Sequence, residues 1–73
     1  MKTTIVNKWI NSCNKNKVTL YQFEFNDNFV NAEVERSTYK GRLFLRCETT
    51  FGLFECRNIE QLKKFIGLKL NEA

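Results

Sequence analysis

Histidine and proline are both absent from this chain of 73 residues, and glycine occurs only three times. Without histidine, the usual general base near neutral pH is missing. So few glycines leave no phosphate-cradling glycine-rich loop, and no nucleophile motif is present. The three cysteines, Cys13, Cys47 and Cys56, form neither a C-x-x-C pair nor an even set. They therefore suggest neither a zinc site nor a disulfide framework, and read as reduced thiols packed as small core hydrophobes. No apolar run is long enough to span a bilayer, and the N-terminus lacks the apolar core of a signal peptide. Together these absences predict a cytoplasmic, non-enzymatic protein with no cofactor, no metal and no membrane partner.

What the chain does have is positive charge and aromatic bulk. Twelve Lys and Arg stand against eight Asp and Glu, for a net charge of +4 and a pI near 9.2. That balance favours an anionic partner. Seven Phe, two Tyr and one Trp supply large apolar areas to what must be a small core. A chain of this length makes a single domain over residues 1–73, close to the lower limit for folding unaided, so a homodimer is an expected aid. Asn and Lys are abundant while Ala, Gly and Pro are scarce, a bias that fits an AT-rich genome such as that of a phage.

Periodicity divides the chain into six elements. Ile5, Val6, Trp9, Ile10 and Cys13 recur at helical spacing, which predicts a helix from Thr3 to about Cys13 with Trp9 as a core anchor. From Lys17 the period becomes two. Tyr21, Phe23 and Phe25 form one inward row; Val30, Ala32 and Val34 the next; then Leu43, Leu45 and Cys47; then Phe54 and Cys56. Turns are signalled at Asn26-Asp27-Asn28, at Lys40-Gly41 and at Thr49-Thr50-Phe51-Gly52. Asn58 followed by Gln61 is a capping-box pattern, and it opens a helix whose apolar stripe is Ile59, Leu62, Phe65, Ile66 and Leu70. The expected fold class is α+β: a four-stranded antiparallel meander with an N-terminal and a C-terminal helix packed on one face (α-β-β-β-β-α). In element order alone, four strands and a closing helix are similar to the coactivator and Whirly families of single-stranded-DNA-binding proteins. No motif is shared, and the extra N-terminal helix departs from that plan.

Register turns the pattern into a charge map. Centring the first hairpin on Asp27-Asn28 sets Phe25 against Val30, Phe23 against Ala32 and Tyr21 against Val34. The second hairpin sets Val34 against Cys47 and Arg36 against Leu45, and the third sets Leu45 against Cys56. The solvated face then carries Glu35 beside Arg46 and Arg46 beside Glu55 as ion pairs, Glu33 opposite Glu48, and Arg57 beside Phe44. Along the strands, Glu24, Asp27, Glu33 and Glu48 fall at one end. Lys15, Lys17, Arg36, Lys40, Arg42 and Arg57 fall at the other, with Tyr39 at the hairpin tip and no carboxylate expected among them.

Clustered cations beside an aromatic ring suit a phosphate backbone with an unpaired base stacked on the ring. The expected function is non-catalytic binding of RNA or single-stranded DNA in a regulatory or inhibitory role, directed against host machinery if the chain is phage-encoded. Lys15, Lys17, Arg36, Lys40, Arg42 and Arg57 would hold phosphates and Tyr39 would stack. The alternative is an inhibitor or adaptor whose basic end docks on an acidic protein surface and blocks a host enzyme or toxin by direct contact.

Overall fold

A computed structural model describes residues 1–71. Five strands run in the order β1 (Lys2–Ile10), β2 (Lys17–Phe25), β3 (Asn28–Tyr39), β4 (Arg42–Thr49) and β5 (Gly52–Cys56). One helix, α1 (Ile59–Asn71), follows them. All neighbours pair antiparallel in sequence order, so the sheet is a plain meander.

The expected N-terminal helix is overturned: that segment is the edge strand β1, paired with β2 from Lys2↔Glu24 to Ile10↔Lys17. Thr3, Thr4, Ile5, Val6 and Ile10 are β-branched, which disfavours helix and suits a pleated surface. A β-bulge at Val6 explains the deceptive spacing. The register shifts between Ile5 and Asn7, so Ile5 and Lys8 share a face although they lie three apart. The extra residue breaks strand alternation, so Ile5, Val6, Trp9 and Ile10 fall at helical spacing although Ile5 and Ile10 lie on one face and Trp9 on the other. Cys13, on the same expected stripe, is exposed. Trp9 is no core anchor either; it stays 37% exposed and pairs with Val18 on the face away from the helix.

The first hairpin also turns one residue earlier than expected. Asn26 and Asp27 both take positive φ, at 48° and 64°, as a two-residue primed turn demands. The pairs are therefore Phe23↔Val30 and Tyr21↔Ala32 rather than Phe23 with Ala32. This slip of two residues leaves every side chain on its expected face. The second and third hairpins fall as expected, with Val34↔Cys47, Arg36↔Leu45 and Leu45↔Cys56. Lys40 and Gly41 make the tight turn at φ 51° and 76°.

The core lies between α1 and one face of the sheet. Leu62 and Ile66 are fully buried against Phe23, Val30, Ala32, Val34, Leu45, Cys47 and Cys56. Each buried Val, Leu, Ile or Phe among them contributes roughly 1.5–3 kcal/mol by leaving water. Phe65 stacks on Phe54 with ring centroids 4.3 Å apart. Asn58 caps the helix: its Oδ1 accepts from the Gln61 amide at 3.0 Å, while Gln61 Oε1 accepts from the Arg57 amide at 2.8 Å. The helix starts beyond the end of β5, packs on β5 and β2, and brings Gly67 to the side chain of Met1. Its path is therefore diagonal. It covers the half of the face holding Phe23 and Val30 and leaves the Ile10–Lys17 corner open.

Gly67 does not end the helix, which continues to Asn71. A Cβ built there would meet Met1 Cε at 3.7 Å, an ordinary contact. Gly67→Ala is expected to raise unfolding stability by up to about 1 kcal/mol, read as a higher urea midpoint with unchanged slope; a lower midpoint would contradict this packing.

Candidate functional site

The uncovered corner is a half-open cavity of about 720 Å³. Its lining brings together Lys8 and Ile10 from β1, Lys17, Thr19 and Tyr21 from β2, Val34 and Arg36 from β3, Leu43 and Leu45 from β4, and Arg57, Asn58 and Ile59 from the entry to α1. Trp9 and Val18 complete the wall. Four of these residues are cations, and no carboxylate is among the described residues that line it.

Sheet geometry explains the convergence. Lys8 is paired with Thr19, Ile10 with Lys17, and Arg36 with Leu45, all on the helix-bearing face. One step beyond the last β2–β3 pair, Val18↔Glu35, Lys17 and Arg36 stand next to each other in register. Like charges on adjacent strands repel and cost stability unless an anion lies between them. Arg57 follows the last residue of β5, where the chain leaves the sheet for the helix. It lines this cavity and not the opposite face beside Phe44, as the strand pattern had implied.

The opposite face has the opposite sign. A shallower hollow of about 310 Å³ is lined by Trp9, Asn11, Asn14, Val18, Glu33, Glu35, Arg46, Cys47, Glu48 and Leu53. Glu33 pairs with Glu48 across β3 and β4, as the register anticipated. The expected ladder of ion pairs through Arg46 is not what holds Glu35. Among the described residues the ion pair within 4 Å is Lys63 with Glu60, at 3.3 Å on the helix. The Glu35 carboxylate instead accepts hydrogen bonds from Asn11 Nδ2 at 3.0 Å, Asn14 Nδ2 at 3.1 Å, Asn16 Nδ2 at 3.0 Å and Ser37 Oγ at 3.4 Å.

This explains the asparagine-rich Asn11–Asn16 segment. It is a loop clamped onto a strand carboxylate, closed by the Asn11 amide on the Asn16 carbonyl at 2.8 Å and the Lys15 amide on the Asn11 carbonyl at 2.7 Å. It also corrects the expected charge map: Glu35 lies toward the basic end of the sheet, engaged on the outer face, and Glu55 shares its row across Arg46. Hydrogen bonds from Asn16 and Asn11 lead in holding the Glu35 carboxyl below the usual carboxylate range, helped by Asn14 and Ser37 and opposed by partial burial.

Of the seven residues singled out from sequence, Lys17, Arg36 and Arg57 meet in the cavity. Lys15 sits in the clamped loop with φ 64°. Tyr39, Lys40 and Arg42 lie at the β3–β4 tip, outside the cavity lining; Tyr39 is 66% exposed, with Lys40 Nζ 5.5 Å from its ring centroid. Lys8 was missed because it was read as part of a helix. A bulge placed at Val6 would have found it.

Among the described residues no group of three or more His, Cys, Asp or Glu is placed to hold a metal ion, and no helix is long and apolar enough to cross a membrane. Cys47 and Cys56 lie with their sulfurs 3.8 Å apart in the core. Burial, reinforced by Cys56, pushes the Cys47 thiol up to about 12, which leaves it a thiol and not a nucleophile. Comparison with family models, with curated proteins and with solved structures returns no match for this chain.

The Glu35 clamp makes a pH prediction. Because its carboxyl titrates lower folded than unfolded, its contribution is full above the ordinary carboxylate range and is lost as pH falls through the folded value. Between about pH 6 and pH 3, wild type should lose more stability than Glu35→Gln in urea titrations. Parallel declines would show that the clamp carries no charge-dependent stability.

Proposed function

We propose that the protein binds single-stranded nucleic acid, RNA or DNA, through the cationic corner of the helix-bearing face, and acts by occupying its target without transforming it. The observation that carries this reading is the segregation of charge between the two faces of the sheet. Lys8, Lys17, Arg36 and Arg57 line one cavity free of described carboxylates, while Glu33, Glu35 and Glu48 surround Arg46 on the other side. Backbone phosphates are the densest source of negative charge that a strand of linked units can present to such a cluster, and their neutralisation releases counterions. Lys40 at the hairpin tip adds a further cation at this end of the sheet, while Arg42 takes the parity of Arg46 and Lys15 sits in the loop clamped to the outer face. The acidic outer face repels the same ligand and so fixes which side of the sheet it meets.

Binding of a fluorescent oligothymidylate or oligouridylate across a salt series tests this. Four phosphate contacts on a single strand predict that log affinity falls with log salt at a slope of about −3. Arg36→Glu should weaken binding more than tenfold and flatten that slope, whereas Arg46→Glu on the outer face should leave both unchanged. Absence of binding at low salt, or equal loss in the two variants, would overturn the assignment and favour an acidic protein surface as the partner.

A further inference from the structure

The cavity has more than charge. Beneath its four cations lies an apolar floor made by Tyr21, Val34, Leu43, Leu45 and Ile59. Val34 and Leu45 already belong to the core, but Tyr21, Leu43 and Ile59 keep exposed surface that phosphates alone would not cover. Leu43 is 44% exposed and Ile10 54% exposed at the edge of the hollow, so apolar surface is on offer to solvent here. The volume of about 720 Å³ falls within the range of pockets that enclose one small planar ligand.

Resting on the reading above, we propose that the cavity receives one unstacked nucleobase of the bound strand, with its flanking phosphates held by the rim cations Lys8, Lys17, Arg36 and Arg57, one of them between the adjacent Lys17 and Arg36. A base has a flat apolar face for the floor, and its two neighbouring phosphates account for four cations around one opening. A duplex keeps its bases stacked inside and can present none to the floor, so the site selects single strands. A free mononucleotide would engage only part of the rim, because four cations exceed what one phosphate group can contact. The rival place for a base is Tyr39 at the hairpin tip. Its ring already carries Lys40 at 5.5 Å and stands on a projecting turn with no enclosing wall. The half-open, walled site is therefore the one that gains more from excluding water.

An abasic oligonucleotide of matched length separates the two levels of this argument, because it keeps every phosphate and lacks every base. Anisotropy should show it binding wild type about tenfold more weakly than oligothymidylate, the discrimination expected of one buried base. Leu43→Ala, at a partly exposed position, should weaken oligothymidylate severalfold and leave the abasic strand unchanged; Tyr39→Ala should weaken neither. Equal affinity for the two probes would overturn the base pocket while leaving phosphate binding standing. A base preference abolished by Tyr39→Ala but untouched by Leu43→Ala would place the base at the tip and overturn the cavity assignment. Binding of neither probe would remove the nucleic-acid reading itself.

Discussion

The diagonal seat of α1 on the sheet is the constraint from which the rest follows. A helix of thirteen residues is about 20 Å long and about 10 Å wide. Five strands at about 4.8 Å spacing make a face about 24 Å across, and the twelve residues of β3 run about 36 Å along it. One helix cannot cover that area. Burial of Leu62 and Ile66 over Phe23 and Val30 fixes where it lies, and the capped start at Asn58 fixes where it begins. What remains open is the corner between β1, β2 and β3, and the polarity of that corner decides what the molecule can do.

A small chain with one core must tolerate exposed apolar surface somewhere, and the side chains around the opening manage it in two ways. On the helix-bearing face, Lys8, Lys17, Arg36 and Arg57 ring the uncovered apolar floor. On the outer face, the Asn11–Asn16 loop folds over the sheet, and Val18 is buried there although it lies on the side away from the helix. Edge protection comes from the same segment. The Val6 bulge and the lysines at positions 2 and 8 blunt β1, the longer of the two edge strands, against pairing with other chains.

Most of the sheet was legible in the sequence, because alternation in β2 through β5 is clean and all three turns carry glycine or paired positive-φ residues. A shift of two in the first hairpin cost nothing in face assignment, since Asn26, Asp27 and Asn28 are all competent turn formers and period two is blind to an even slip. β1 was illegible for a specific reason: the bulge broke alternation at Val6, so Ile5, Val6, Trp9 and Ile10 imitated a helical face. That error removed Lys8 from the site. Arg57 was assigned to the wrong face because strand parity was carried one residue past Cys56, where the chain already turns toward Asn58. Hydrogen bonds from three loop asparagines to Glu35 left no periodic trace at all.

The most direct test of the central claim is a map of where a single-stranded oligonucleotide touches the protein. Titration into isotopically labelled protein, followed by amide chemical-shift changes, should perturb Lys8, Lys17, Thr19, Arg36, Leu45 and Asn58 and leave Leu53, Glu48 and Phe29 in place. Perturbations concentrated on the outer face, or spread evenly over both, would contradict the account that the corner left bare by α1 is the functional surface.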